Sequence, residues 1–232
     1  MPEFVEIPSP GWPLEFGKAG RPVVVIVHDA YGRLPYLEAY ARALADQGFF
    51  VQVPDLFDGV ATIDPEGATE LADGLDEGFA LAALETALDL GRAGTDPEPL
   101  AELSPAADGP PAAPRAGVIG LGLGGHLALR LAQQGAVDAV VAYYAALTDE
   151  EAGIIPCPVL VHRPDDPRWL AGLDADRLLG RLKEHGTPVT QHRYAGTSEG
   201  FANATVLPLL DKNAAALSFA RSTYFLQAQL LD

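Results

Sequence analysis

A single cysteine, Cys157, stands in 232 residues. An internal disulfide is therefore excluded, which suits a reducing compartment. Cys157 precedes Pro158 at an expected strand start and reads as an inert core thiol. No apolar run approaches the ~18 residues that span a bilayer. The start, Met1-Pro2-Glu3-Phe4, lacks the basic stretch and following apolar stretch of a secretory signal, so a cytoplasmic location is expected. Basic residues are scarce: 15 Lys and Arg against 32 Asp and Glu leave a net charge of −17. A field of that sign repels phosphate backbones and anionic lipid, so neither nucleic acid nor a membrane is expected as a partner. There are five histidines, and no His-x-x-x-His or Glu-x-x-His spacing supports a metal.

Against these absences, 48% of the residues are hydrophobic and 20% charged, a globular composition. The length fits one α/β domain, read here as the whole of 1–232. Val23 to Val27 is an unbroken β-branched run, as in a strand buried on both faces of a parallel sheet. Leu37, Tyr40, Ala41, Leu44 and Ala45 follow at helical spacing, with Gly48 as the stop. Phe49 to Val53 is the next strand, closed by Pro54-Asp55, and a right-handed crossover makes the two strands parallel. Ala68 to Leu90 reads as mostly helix. Gly91 to Arg115, rich in Pro, Ala and acid, has no period and is too long for an ordinary connection; a flexible surface insertion is expected there. The alternation then resumes. Strands are expected at 117–121, 137–144, 158–162 and 188–194, and helices at 123–134, about 169–183 and in the C-terminal segment. The expectation is an α/β fold: one doubly wound, mostly parallel sheet with helices on both faces.

In such sheets ligands bind beyond the carboxyl ends of the strands. His28-Asp29-Ala30-Tyr31-Gly32 follows the first strand. Gly120-Leu121-Gly122-Leu123-Gly124-Gly125-His126 lies at a strand-to-helix turn, Pro164-Asp165-Asp166-Pro167 follows a later strand, and Gly196-Thr197-Ser198-Glu199-Gly200-Phe201 follows the last. The turn at Gly122 has the setting of a nucleophile elbow, in which a Ser or Cys sits on a strained bend. Glycine has no side chain to attack with. Gly120, Gly122 and Gly125 also match the dinucleotide pattern Gly-x-Gly-x-x-Gly. That pattern wants an acid at the end of the next strand, which here ends in Tyr143-Tyr144, with Asp138 only at its start. His28 and His162, each at a strand end, read as structural.

The order and spacing of these segments resemble the dienelactone hydrolase family from about Val23 to the C-terminus. His28-Asp29-Ala30-Tyr31-Gly32 corresponds to the family's His-Glu-x-x-Gly, and Pro54-Asp55-Leu56 to its Pro-Asp-Leu. The Gly120–Gly125 turn corresponds to its Gly-x-Cys-x-Gly-Gly, and Ala142-Tyr143-Tyr144-Ala145 to its Ala-Tyr-Tyr-Gly. The resemblance implies an α/β-hydrolase fold and an ester or lactone hydrolase site. It puts Gly122 in the nucleophile position, Glu199 in the position of the catalytic His, and Asp166, with Asp165 as the alternative, in that of the catalytic Asp. An Arg near the family's substrate falls on Asn203. The amides of Ala30 and Leu123 would form the oxyanion hole, and Asp29, Tyr31, His126, Tyr143, Phe201 and Asn203 would line the pocket, with Tyr144 a further aromatic candidate. Two of three triad members are missing, and an elbow nucleophile needs both its base and the acid that orients that base. The resemblance thus implies a degenerate, catalytically impaired member, without cofactor, that binds a small acyl or carboxylate compound. An atypical hydrolase in which Glu199 and Asp166 activate water is the alternative, and a dinucleotide site a lesser one. Convergence of Asp29, Asp166 and Glu199 would either raise at least one carboxyl pKa or place a cation between them, a metal ion with His126 or His28 as an added ligand or an amine.

Overall fold

The computed structural model describes residues 3–8, 11–93, 113–151, 153–166 and 175–231. Among the described residues nine strands and six helices run in chain order: β1 (Phe4–Glu6), β2 (Leu14–Phe16), β3 (Val23–Val27), α1 (Tyr36–Ala45), β4 (Phe50–Val53), β5 (Val60–Thr62), α2 (Pro65–Asp73), α3 (Glu77–Ala93), β6 (Ala116–Leu121), α4 (Leu123–Gln133), β7 (Ala139–Tyr143), β8 (Val159–Pro164), α5 (Ala175–Glu184), β9 (Val189–Tyr194) and α6 (Lys212–Leu230). Seven strands form one sheet in the order β2-β4-β3-β6-β7-β8-β9. All neighbours are parallel except β2, which pairs antiparallel with β4 at one edge. This is the α/β fold with a mostly parallel sheet that the alternating pattern predicts.

The apolar runs explain the centre. Every residue of β3, β6 and β7 is buried, because helices cover both faces of these strands. Burying a Val or Ile fully is worth roughly 1.5–3 kcal/mol. The short strands β1, β2 and β5 were not expected. Each has three residues and lies at or outside the edge of the sheet, too short to show a period. β1 pairs with β5 in a separate two-stranded ribbon.

The single helix expected over 68–90 is two helices. Asp64 caps α2 by accepting from the Gly67 amide (3.3 Å). The helix ends at Gly74, and Asp76 starts the next turn by accepting from Phe79 N–H (2.7 Å). The expected insertion, 91–115, is narrower than its sequence signal, since 91–93 finish α3 and Ala116 opens β6; 94–112 lie outside the described residues. So do 167–174, the first part of the helix expected over 169–183. No helix among the described residues is long and apolar enough to cross a membrane.

Candidate active site

The site grows from the turn between β6 and α4. Gly122 has φ +51° and ψ −116°, backbone that L side chains rarely adopt and that belongs to a strained strand-to-helix bend. Its N–H donates to the Tyr143 carbonyl and its carbonyl accepts from His126 N–H, both at 3.0 Å. The bend is thereby tied to β7 on one side and to α4 on the other. Its flanking glycines are demanded by close packing. A Cβ on Gly120 would lie 2.1 Å from the Gly124 carbonyl oxygen. One on Gly124 would lie 2.3 Å from the carbonyl oxygen of His28. The first turn of α4 therefore rests on the chain leaving β3. This packing accounts for the glycine spacing that resembles a dinucleotide fingerprint. The acid of the next strand, Asp138, instead accepts from the Ala116 amide (2.8 Å).

Gly122 itself is not crowded. A Cβ there would meet Asp29 Cβ at 3.5 Å, Glu199 Oε1 at 3.7 Å and Tyr144 Cδ2 at 3.7 Å, all ordinary contacts. Loops after β3, β7 and β9 thus converge on one point in front of Gly122.

Asp29 is buried, and both its oxygens have donors. Oδ1 accepts from Tyr31 N–H (3.0 Å). Oδ2 accepts from Asn203 Nδ2 (3.1 Å) and from the Tyr36 hydroxyl (3.5 Å). Burial still outweighs these bonds and raises its pKa to about 6. Asn203 is fully buried, and its Oδ1 accepts the Thr205 and Val206 amides (3.1 and 3.0 Å). It is therefore a strut between the Asp29 loop and the turn that follows Phe201. His28 fixes the other end of the same loop. Its Nε2 accepts from Leu56 N–H (3.1 Å), so Nδ1 carries the proton and donates to the Asp29 carbonyl (2.8 Å). Burial lowers its pKa to about 4. It is a structural histidine, as its place in the sequence suggests.

Glu199 makes no hydrogen bond or ion pair among the described residues. It is exposed as a residue, yet its carboxyl is crowded by protein atoms at the mouth of the site. That crowding, with the negative charge of Asp29, raises its pKa to about 7. The two carboxyls electrostatically linked are therefore Asp29 and Glu199. Asp166 stands on the adjoining turn. Its amide and that of Asp165 donate to the Thr197 carbonyl (3.0 and 3.1 Å), joining the turn after β8 to the Glu199 loop. The Asp165 carboxylate is taken by the Gly196 amide (3.0 Å) and Arg193 (2.5 Å), which hold it below the usual carboxylate range.

The pocket expected from the sequence needs two corrections. Tyr143 is buried in the core, its hydroxyl shared with Tyr40 (3.0 Å) and Ser222 (2.8 Å). The tyrosine against Gly122 is its neighbour Tyr144. Tyr144 has φ +39°, strained for a residue with a side chain. Its hydroxyl is buried and has no hydrogen-bond partner, and the charges of Asp29 and Glu199 reach it. Alternation along β7 is the reason: Tyr143 is the last strand residue, and the chain turns at Tyr144. Phe201 packs on Tyr144 with ring centroids 5.5 Å apart. Tyr31, half-buried, feels the same two acids. Tyr36, at the start of α1, was not anticipated, since no local pattern connects it to residue 29.

His126 is the second correction. It stands on the first turn of α4, but its ring engages the Ala146 carbonyl (Nδ1, 3.3 Å) and Glu151 (Nε2, 3.5 Å). With Glu77 it forms a separate cluster whose potential metal-binding atoms all lie within 4.8 Å of one another. Glu77 is already held by Arg130 (3.0 Å). Ala30 and Leu123 are both half-buried. Among the described residues neither amide donates a hydrogen bond, which leaves both open to an acceptor oxygen. Leu123 opens α4, where backbone N–H groups lack partners and the helix dipole is positive.

The model of the dienelactone hydrolase family matches residues 14–230, and the chain belongs to that family. A carboxymethylenebutenolidase of Pseudomonas putida is 29% identical over 157 residues, 62% of this chain and 60% of the length of that protein. An Azospirillum brasilense protein provisionally given the same name is 27% identical over 223 residues, covering 92% of this chain and 90% of its own. The solved structure of m3DLH is 26% identical with a TM-score of 0.66, over 92% of this chain and 88% of that one. Solved dienelactone hydrolases and esterases share the fold.

Proposed function

We propose that this chain binds a small acyl or carboxylate compound at the elbow and is impaired in the nucleophile-dependent hydrolysis of its family. The observation that carries the reading is the space at Gly122. Three loops aim at a point where a side chain would fit, and residue 122 supplies only hydrogen. Opposite it stands a carboxyl group, Glu199, in place of an imidazole. Without nucleophile and base, no acyl-enzyme can form at this turn. The open amides of Ala30 and Leu123 remain suited to an acyl oxygen, and the unpartnered Tyr144 hydroxyl gives a bound molecule one more polar contact.

The pure protein should therefore resist labelling by serine- and cysteine-directed probes, and should show no burst of product with activated esters. Labelling of any residue of the elbow would overturn the reading. The double variant Gly122→Cys, Glu199→His should gain esterase activity, because it restores attacker and base where the pocket is otherwise in place.

A second reading is favoured by one observation, the rise of the Glu199 pKa to about 7. A carboxylate there is a better base at neutral pH than an ordinary one. Glu199, with Asp166 on the neighbouring turn, would draw a proton from water while the Ala30 and Leu123 amides hold the oxyanion. This predicts slow ester turnover that follows deprotonation of Glu199 and disappears in Glu199→Gln. Turnover unchanged in that variant would sink the second reading.

A further inference from the structure

We propose that the pocket over Gly122 takes its ligand by a positively charged nitrogen: the preferred compound is an acyl compound that also carries an alkylammonium group. The inference rests on the acyl-binding reading above and narrows it. The charges that act on Tyr31, Tyr144 and Glu199 among the described residues are those of acids and of other tyrosines. Glu199 lacks a partner among the described residues, so its charge is left for something that enters. The Tyr144 hydroxyl, 2% exposed as a residue and without a hydrogen bond, is the second open group. An ammonium group satisfies both, donating one hydrogen to Glu199 and another to the phenol oxygen. The ring of Tyr144 and that of the half-buried Tyr31 supply π surface of the kind cations favour.

A divalent metal ion suits the site less well. Both oxygens of Asp29 are already engaged by Tyr31, Asn203 and Tyr36. That leaves Glu199 as the free anionic ligand among the residues that meet at Gly122, whereas hard cations take several oxygens. A plain carboxylate ligand would bring a further negative charge to acids that already repel one another. The acyl oxygen of the ligand would lie on the Ala30 and Leu123 amides, leaving the ammonium to Glu199.

The test uses three probes of equal length, n-butylammonium, butyramide and butyrate. Each is titrated into the 15N-labelled full chain at pH 6 and pH 8, following the amides of Ala30, Gly122, Leu123 and Gly200. The titratable groups facing Glu199 are Asp29, Tyr31 and Tyr144, with Asp166 on the adjoining turn. Of Asp29, Tyr31, Tyr144 and Glu199 only the two carboxyls, raised to about 6 and about 7, ionise in this range, so the expected trend has one sign. Butylammonium should bind more tightly than butyramide, should tighten from pH 6 to pH 8, and should weaken about tenfold in Glu199→Gln. Tyr144→Phe should weaken it by a smaller factor without altering the pH trend. Butyrate should bind weakest, and more weakly still at pH 8. Butyramide or butyrate binding as well as butylammonium at pH 8 would overturn this inference and leave the acyl-binding reading intact. Silence from all three probes would overturn both. Binding of butylammonium that is unchanged in Glu199→Gln would show that the cation is held elsewhere, and would also overturn it.

Discussion

At position 122 a hydrogen atom occupies the spot towards which Asp29, Glu199 and Tyr144 all turn. The Cβ of a serine placed there would clash with none of them, since it would keep 3.5 Å or more from the nearest atom of each. Its backbone, at φ +51°, would be strained by on the order of 1–3 kcal/mol. Gly122→Ser should therefore fold with a stability loss of that size in urea titration. Gly124→Ala should fare far worse, at about 3 kcal/mol or more, because its methyl would lie 2.3 Å from a carbonyl oxygen that cannot yield. A smaller loss for Gly124→Ala than for Gly122→Ser would contradict the packing described. Glu199 makes a pH-dependent prediction. Its folded pKa is raised above the ordinary value, so the folded state binds the proton more tightly than the unfolded chain. The stability it contributes is complete below about pH 4 and is lost as pH rises through about 7. Glu199→Gln removes the ionisation and should raise Tm at pH 8, with the gain vanishing by pH 4. These residues were legible in sequence by order and spacing. The sequence offered both Tyr143 and Tyr144 without choosing between them, because which of two adjacent tyrosines faces the elbow depends on where β7 ends; Tyr36 was not legible, since it reaches Asp29 only through the placement of α1.

At the scale of elements, the C-terminal helix docks by a mixture of apolar and polar contacts. Leu226 and Leu230 of α6 are buried, and so are Ser218 and Ser222. The Ser222 hydroxyl is shared by Tyr143 (2.8 Å) and His162 Nε2 (2.9 Å), and His162 Nδ1 pairs with the Tyr194 hydroxyl (2.7 Å). One chain of bonds thus ties α6 to β7, β8 and β9. Burial keeps His162 far below its ordinary pKa and therefore neutral. Ser222→Ala would strand the buried His162 Nε2, while the Tyr143 hydroxyl keeps Tyr40, at a cost of about 1–3 kcal/mol, read as a lower urea midpoint with an unchanged slope. Sequence patterning located α6 from its apolar residues. Its polar lock was out of reach, because Ser222 and His162 stand 60 positions apart and only sheet order brings them together.

The whole molecule carries −17, and like charges on a compact body repel. Raising ionic strength from about 10 mM to 150 mM shortens the screening length from ~30 Å to ~8 Å. Tm should rise with it by calorimetry, and a fall would show that attractive pairs such as Arg163 with Asp176 (2.5 Å) dominate instead. The same field favours a cation over an anion at the elbow, so butylammonium binding should weaken as salt is added.

By itself the sequence determined the alternation of strands and helices, the parallel core and the family, because buried strands demand apolar runs and close backbone contacts demand glycine at fixed spacing. It also determined what the elbow lacks, since a missing side chain is visible in one dimension. Tertiary structure alone decided which acids meet, that Asp29 is the one coupled to Glu199, that His126 belongs to another cluster, and that Tyr144 faces the bend. Those outcomes depend on loops from distant parts of the chain arriving at one point, and on charges interacting through space rather than along the backbone.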